Sequence, residues 1–197
     1  MLHPDLELKW INDGIGYGVF ARRPIARGVV IWAQDALDIV LPAGSPLADH
    51  RDYAALIERY CVLNGNGQRV IAWDHGKYIN HCCHYNTLTT GYGFEIAVRD
   101  IAAGEEITDD YGVFNLEEPV PLACHFPDCR TFAYPDDYDR MQEKWDADIR
   151  RALSKVFSVP QPLYVYIDPQ IMAGVRSYLL TGSGYRSVSE MRLKNRS

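Results

Sequence analysis

The sequence predicts a mostly β domain that carries a small helical insert and ends in a helical extension. Residues 7–33 alternate or run apolar between Gly and Pro residues, as short strands joined by turns do. Apolar residues recur at helical spacing within 53–61 and again after Pro135. A chain of 197 residues can bury a substantial core without disulfides or a metal.

One short helix is predicted between the early strands and two later ones. Residues 69–74 and 93–99 read as strands, and the second leads into a turn at 103–104. The helix is predicted by apolar residues three and four positions apart, namely Tyr53, Leu56, Ile57, Tyr60 and Cys61. We expect it to end near 64–67, where Asn and Gly alternate.

Two helices are predicted in the C-terminal third. One face of the first is marked by Tyr138, Met141, Trp145, Ile149 and Val156. Its expected N-cap is Asp136 or Asp137, and the second helix is expected from Pro169 to Leu180. The last fifteen residues are polar and slightly basic and are expected to be frayed. Packing over the domain and homodimer formation through this extension are both left open.

Composition and charge narrow the class of protein. The sequence shows no secretory leader and no apolar run of the roughly 18 residues that span a bilayer, so we expect an intracellular, cytoplasmic protein without membrane contact, nuclear if eukaryotic. Five cysteines, an odd number, suit a reducing compartment better than a disulfide framework. The net charge of −6 argues against direct nucleic-acid binding and is compatible with a basic partner.

Three motifs follow one another along the chain. The first is the glycine-rich segment Gly-Ile-Gly-Tyr-Gly-Val-Phe-Ala at 14–21. The second is Asn-His-Cys-Cys-His-Tyr-Asn at 80–86, and the third is Gly-Glu-Glu-Ile-Thr-Asp-Asp-Tyr-Gly at 104–112. In this order they resemble the signatures of SET-domain protein lysine methyltransferases. The glycine-rich segment is not a dinucleotide fingerprint, because it leads into a predicted strand and not into a helix.

The resemblance implies a compact, nearly stand-alone SET domain, with small β-sheets and knot-like threading of its C-terminal part. It places the SET domain at 5–115, with the variable insert at about 35–68. A degenerate post-SET-like segment follows at 116–133, and 134–197 form the helical extension and tail. The implied activity is S-adenosylmethionine-dependent methyl transfer to the ε-amine of lysine in a protein or peptide.

The resemblance also assigns site residues. Tyr111 matches the catalytic tyrosine, whose hydroxyl orients the amine or stabilises the sulfonium methyl, since a phenol is a poor base at neutral pH. The positions that match the binding site of the methyl donor are Ile15, Gly16, Tyr17, Asn80 and His81. Glu105 and Glu106 are expected to be structural and to bond backbone across the site.

The cysteines resemble an incomplete post-SET zinc cluster. Cys83, Cys124 and Cys129 match three ligands, whereas Leu122 stands where the fourth cysteine would fall. Structural zinc takes four ligands. Either a neighbour such as His125 or His84 completes the site, or the metal has been lost and the cysteines are small buried hydrophobes. Phe132 would supply the apolar lid that this segment lays over the donor.

Other departures leave alternatives open. Cys82 and Tyr85 stand for the usual Ser and Pro, and the stretch that begins at Trp32 lacks a tyrosine that the family often places in the lysine channel. Tyr78 or Tyr92 could replace it, although core positions suit both. A catalytically inactive SET-like binding module is the main alternative. A cysteine hydrolase is disfavoured, because a catalytic Cys–His pair normally comes from distant segments.

Overall fold

Residues 1–194, which a computed structural model describes, form twelve short strands and three α-helices. The strands are β1 (Leu6–Asn12), β2 (Gly16–Ala21), β3 (Val30–Ala33), β4 (Ile39–Leu41), β5 (Val62–Leu63), β6 (Arg69–Ile71), β7 (Asn80–His81), β8 (Thr87–Thr89), β9 (Phe94–Ala97), β10 (Thr108–Asp109), β11 (Val120–Pro121) and β12 (Phe132–Ala133). The helices are α1 (Ala54–Tyr60), α2 (Asp137–Leu153) and α3 (Pro169–Thr181). The strand-rich fold with a helical insert and a helical extension confirms the predicted class.

The strands pair in small sheets, most of them antiparallel. Strands β1 and β2 form a hairpin, and β11 pairs with β12. Two three-stranded sheets have the orders β3-β9-β8 and β4-β6-β5. The second of these sheets, together with α1, lies within residues 39–71, which cover most of the predicted insert and extend three residues beyond it. The insert thus has a sheet of its own, separate from β3-β9-β8, which is called the main sheet below.

A parallel pairing of two very short strands joins the second and third motifs. Strand β7 lies beside β10, with Asn80 opposite Thr108 and His81 opposite Asp109. The backbone N–H of Cys82 continues the ladder by donating to the Asp109 carbonyl at 3.0 Å. Parallel strands require a long connection, and here that connection contains β8 and β9. The pairing brings both motifs to one place.

The C-terminal extension packs over the domain. The larger hydrophobic core joins Leu88 and Ile96 of the main sheet to Trp145 and Ile149 of α2, and all four side chains are fully buried. Val156 lies beyond the end of α2 but belongs to the same core. Burial of such side chains against the sheet is the main term that holds this extension in place.

The two long helices end differently: Asp136 is the N-cap of α2 but its side chain makes no cap hydrogen bond, whereas α3 is capped at both ends. Helix α2 has acidic residues in its first turn and Arg150 and Arg151 in its last, which suits the helix dipole. In α3, the Asp168 side chain accepts the Gln170 N–H at 2.7 Å, and Pro169 occupies the first helical position. Gly182, in the left-handed conformation, ends α3.

The expectation of a frayed tail is wrong for residues 183–194; 195–197 lie outside the described residues. The buried Asp146 carboxylate of α2 anchors this segment. It accepts hydrogen bonds from the Tyr185 hydroxyl at 2.8 Å, the Ser187 hydroxyl at 2.6 Å and the Val188 N–H at 3.0 Å. Val188 itself is fully buried. Polar composition concealed an attachment that depends on one distant carboxylate.

Each helix within the described residues falls short of the length and apolar character that a membrane crossing requires.

Replacement of Trp145 by Ala tests how strongly the extension supports the domain. The side chain is fully buried, and its indole N–H donates to Asp110 at 3.1 Å. We expect Trp145→Ala to lower the free energy of unfolding by about 3–5 kcal/mol in urea titrations. Leu180→Ala, at a position in α3 that is 81% exposed, serves as the control and should change little. Equal small effects of both substitutions would contradict this role of α2.

Candidate functional site

The glycine-rich motif forms the turn of the β1–β2 hairpin. The Asn12 side chain accepts the N–H groups of Gly14 at 2.9 Å and Ile15 at 3.0 Å, which shapes the turn. Gly16 follows with a φ of 88°, a left-handed conformation that favours glycine. Gly16 is itself buried, because the Arg59 guanidinium of α1 lies over the turn and donates to the Ile15 carbonyl at 3.4 Å.

Gly18 allows two motif side chains to reach this hairpin. A Cβ atom at this position would lie 2.6 Å from Glu106 Oε1 and 3.0 Å from Asn80 Nδ2. The Asn80 amide donates to the Tyr17 carbonyl at 3.0 Å and to the Glu106 carboxylate at 2.8 Å. With both N–H groups used, Oδ1 is the atom of this amide that can accept from a ligand. Glu105 instead accepts the Ala102 N–H at 2.8 Å, so only Glu105 of the acidic pair bonds backbone.

His81 connects the second motif to the third. Its Nδ1 accepts the Tyr111 N–H at 3.1 Å, so the neutral ring carries its proton on Nε2. Nε2 lies 3.3 Å from Cys83 Sγ and is the donor in that contact. Burial lowers the pKa of His81 to about 4, so the ring is neutral at physiological pH.

Tyr111 stands at the centre of the site. Its hydroxyl donates to the Ile79 carbonyl at 3.0 Å, and its ring meets the His81 ring edge-on at 5.5 Å. Burial, together with the nearby Asp109 and Glu106 carboxyl groups, raises the pKa of Tyr111. The hydroxyl therefore keeps its proton, and its oxygen lone pairs remain available to a donor that approaches from the other side.

A buried ion pair fixes the backbone around Tyr111. Asp110 is fully buried and accepts from Arg130 at 3.0 Å, from the Trp145 indole at 3.1 Å and from the Gly112 N–H at 3.0 Å. Arg130 also lies 3.3 Å from Asp137 at the start of α2. Arg130, from segment 116–133, and α2 thus hold the third motif between them.

An aromatic cluster next to the hairpin was only partly foreseen. Tyr78 packs edge-on against Tyr17 at 5.6 Å and Tyr60 at 5.4 Å, and Trp10 packs against Tyr17 at 5.1 Å. Sequence patterns predicted a helix at Tyr60 and a strand at Trp10 but linked neither residue to the site. The signal in the structure is the exposure of Trp10, at 56%, which the sequence alone does not display.

The two candidates for the missing channel tyrosine lie in different surroundings. Tyr78 immediately precedes Ile79, whose carbonyl receives the Tyr111 hydroxyl. Tyr92 is buried in the main core and contacts Phe94 and Tyr185. In the stretch that lacks the channel tyrosine, the Trp32 ring packs against Gly76. A Cβ atom at Gly76 would lie 2.7 Å from Cδ1 of that ring.

The cysteines gather on the far side of His81. The sulfur atoms of Cys83, Cys124 and Cys129 all lie within 4.8 Å of one another, a spacing at which three thiolates could hold one metal ion. Neither histidine that could complete the set belongs to this close group of ligand atoms. His84 bonds Asp128 at 2.8 Å, and His125 stacks on Phe126 at 4.6 Å.

The contact between His81 and Cys83 does not make a hydrolase pair. A general base must accept the thiol proton, but His81 Nε2 already carries a hydrogen because Nδ1 is the acceptor of the Tyr111 N–H. Burial also raises the pKa of Cys83 to about 12, so the free thiol is not a nucleophile at neutral pH.

Two buried carboxyl groups flank the Tyr111 motif. Burial raises the pKa of Glu95 in β9 to about 7, and burial and the nearby Glu95 raise the pKa of Asp109. Their side chains accept from Thr87 and Thr89 respectively, the latter at 3.0 Å. A glutamate inside the apolar run of β9 was a signal that the sequence analysis missed.

Comparison with known proteins identifies the family. Residues 16–112 match the family model of the SET domain, a range that extends from the hairpin to the end of the third motif. The chain belongs to the SET-domain family.

Curated relatives match at modest identity. Histone-lysine N-methyltransferase ATX2 of Arabidopsis thaliana is 29% identical, with 58% of this chain and 12% of the relative covered. Histone-lysine N-methyltransferase TRX1 of Oryza sativa subsp. japonica is 30% identical at the same coverages of 58% and 12%. Histone-lysine N-methyltransferase set1 of Dictyostelium discoideum is 44% identical over 27% of this chain and 4% of the relative. The chain thus spans a small part of the length of these relatives.

Solved structures also match. The methyltransferase domain of human Histone-lysine N-methyltransferase SETMAR gives a TM-score of 0.44 at 16% identity, covering 68% of this chain and 58% of that one. The structure of KRYPTONITE in complex with mCHG DNA and SAH gives a TM-score of 0.48 at 17% identity, covering 68% of this chain and 30% of that one.

Glu95→Gln tests the buried acid. The folded-state pKa of Glu95 rises from an ordinary 4.5 to about 7, so its contribution to stability is greatest below the lower value and is lost as pH rises to the upper one. The isosteric amide removes this loss. Urea titrations should show the variant gaining stability over wild type between about pH 5 and pH 8, by on the order of 3 kcal/mol. The exposed Glu118→Gln should keep the wild-type pH dependence, and a Glu95→Gln variant that does the same would refute the assignment.

Proposed function

We propose that the chain is an S-adenosylmethionine-dependent methyltransferase that acts on the ε-amine of lysine in a protein or peptide. The observation that carries the proposal is the position of Tyr111. Its N–H is tied to His81 and its hydroxyl to Ile79, directly beside Asn80, whose amide bonds the Tyr17 carbonyl of the β1–β2 hairpin. A neutral, fixed hydroxyl next to a glycine cradle suits methyl transfer better than acid–base chemistry.

The residues around the hairpin fit the methyl donor. The absence of a Cβ atom at Gly18 lets the Asn80 amide and the Glu106 carboxylate approach the hairpin closely, and Oδ1 of Asn80 can accept from the ammonium of a methionine moiety. The negative charge of Glu106 lies beside that amide and complements a cationic ligand. When bound, the donor supplies an electrophilic methyl group to the lysine amine.

Tyr111 would orient the incoming amine. Its oxygen can accept an amine N–H or a weak C–H contact, because its own proton is committed to Ile79. The fixed position of the ring supplies the alignment that a transfer reaction between two bound groups needs. The deprotonation of the lysine is aided by desolvation, which disfavours the ammonium form.

Tyr17, Tyr60 and Tyr78 are proposed to line the passage for the lysine side chain. Their rings form one connected surface next to Ile79, and they can pack against the aliphatic stem. Curated relatives carry the name histone-lysine N-methyltransferase, so lysine-rich histone peptides are the first substrates to test. The acidic chain, with its net charge of −6, is compatible with such basic partners.

We also propose a structural zinc ion held by Cys83, Cys124 and Cys129. The support is the mutual approach of the three sulfur atoms and their contact with His81 through Cys83. When bound, zinc would tie segment 116–133 to the loop after β7. Phe132 of β12 is 39% exposed and is proposed to cover the donor from this side.

A second candidate is a SET-fold binding module without turnover. The binding module is favoured by the stretch that begins at Trp32, which lacks the tyrosine that the family often places in the lysine channel. The Trp32 ring packs against Gly76 instead. Methyl transfer to a peptide separates the two candidates, because the binding module would show none even if it bound the donor.

Tyr111→Phe and Asn80→Ala test the two halves of the proposal. Calorimetric titration with S-adenosylmethionine should give saturable binding that Tyr111→Phe leaves unchanged and Asn80→Ala weakens or abolishes. Transfer of a labelled methyl group to lysine-rich peptides should fall by about 100-fold or more in kcat for Tyr111→Phe, since one transition-state contact is lost.

The matched control is Tyr164→Phe, at a tyrosine that is 40% exposed in the C-terminal extension. It should behave as wild type in both assays. Wild-type turnover by Tyr111→Phe would remove Tyr111 from the mechanism. Donor binding without transfer by the wild type to any peptide would favour the binding module.

A further inference from the structure

A fourth cysteine, Cys82, lies next to the cluster of Cys83, Cys124 and Cys129. Its sulfur lies 3.9 Å from Cys124 Sγ, and Cys83 Sγ lies 3.7 Å from Cys129 Sγ. A zinc ion bound tetrahedrally by sulfur at about 2.3 Å places its ligands about 3.8 Å apart. Both contacts therefore have the length of an edge of such a tetrahedron, and together the two edges include four different sulfur atoms.

The backbone around the four sulfur atoms suits thiolates. Cys82 Sγ accepts the His84 N–H at 3.3 Å, and Cys129 Sγ accepts the Thr131 N–H at 3.3 Å, each from two residues further along the chain. A neutral thiol is a weak acceptor, whereas a thiolate accepts strongly. The local geometry at Cys82 thus repeats that of Cys129, one of the proposed ligands.

We infer that Cys82 is the fourth zinc ligand and replaces the cysteine that is missing at Leu122. Leu122 offers only an aliphatic side chain, and His84 and His125 are engaged with Asp128 and Phe126. The sulfur atoms of the other three cysteines lie within 4.8 Å of one another, and Cys82 Sγ lies outside that group but contacts Cys124 Sγ at 3.9 Å. Binding of one ion by all four sulfurs would therefore require the Cys82 side chain to turn toward the group. The inference rests on the proposed zinc site and not on methyl transfer.

The assignment changes the role of the second motif. Cys82 and Cys83 are consecutive, and the Cys82 N–H extends the β7–β10 ladder to Asp109. Two neighbouring ligands would join the metal directly to the strand that carries Asn80 and His81. A site with four thiolates also binds zinc with no open position, as structural sites do.

X-ray absorption at the zinc edge of the wild-type protein, purified with zinc under reducing conditions, is the first test. We expect one zinc per chain and four sulfur neighbours at about 2.3 Å. The fifth cysteine, Cys61, follows α1 outside the cluster, and Cys61→Ser should keep all four sulfurs. Three sulfurs and one nitrogen or oxygen would overturn the inference, as would a folded protein without zinc.

Cobalt substitution then assigns the ligand. Cys82→Ser should lower the thiolate-to-cobalt charge-transfer absorption by about a quarter and weaken metal binding by more than the roughly 10–100-fold that loss of an outer contact causes. His84→Ala and His125→Ala should keep the wild-type spectrum and affinity. The opposite pattern would assign the fourth position to a histidine. None of these measurements depends on methyl transfer, so a failed activity assay and a failed metal assignment remain distinguishable.

Discussion

The site depends on the burial of one carboxylate, that of Asp110. A buried charge is tolerated only where it is paired and hydrogen-bonded, and removal of one partner from such a pair typically destabilises a protein by about 3–5 kcal/mol. Here the partners come from three directions: Arg130 from the cysteine segment, Trp145 from α2 and the backbone of Gly112. A Cβ atom at Gly112 would lie 2.7 Å from Asp137 Oδ2, so the motif glycine is needed for this approach. The position of Tyr111 is consequently a property of the whole chain and not of its own motif.

His81 provides the second constraint. One ring accepts from the Tyr111 backbone and donates to Cys83, so it joins the tyrosine to the cysteine cluster. Its neutral state makes both contacts compatible, because a protonated ring would lose the acceptor at Nδ1. A metal that fixes the Cys83 sulfur would therefore also fix the ring and, through it, the start of the Tyr111 turn. His81 would thus link the proposed metal site to the proposed donor site, although the two share no ligand.

Local patterns in the sequence were sufficient for much of the fold. The spacing of Trp145 and Ile149 predicted α2, and Pro169 predicted the start of α3, since periodicity and capping depend on neighbouring residues. The resemblance also named Asn80, His81 and Tyr111, which the structure brings together; their roles stay predictions. The packed tail was missed because its polar residues bind Asp146, a partner that no local rule identifies.

The distant parts of the site were missed for the same reason. Tyr60 enters the aromatic cluster only because the insert folds back onto the β1–β2 hairpin, and Arg59 reaches the Ile15 carbonyl at 3.4 Å by the same route. Glu95 carries an unusual charge into a buried strand, but its proximity to Asp109 follows from sheet pairing. Tertiary contacts of this kind have no counterpart in motif spacing.

The two walls of the proposed lysine passage are held with different strength. Tyr111 is fixed by the Asp110 pair and by His81, whereas Tyr60 belongs to α1, a helix of seven residues with one buried side chain, Ile57, and no side-chain cap. Short helices with few buried contacts open at low free energy. The tyrosine that is proposed to act on the amine is thus placed rigidly, and the wall proposed to meet the rest of the substrate can adjust. Because the insert alone supplies the adjustable wall, differences in substrate choice among chains of this fold are expected to depend on the insert more than on the three motifs.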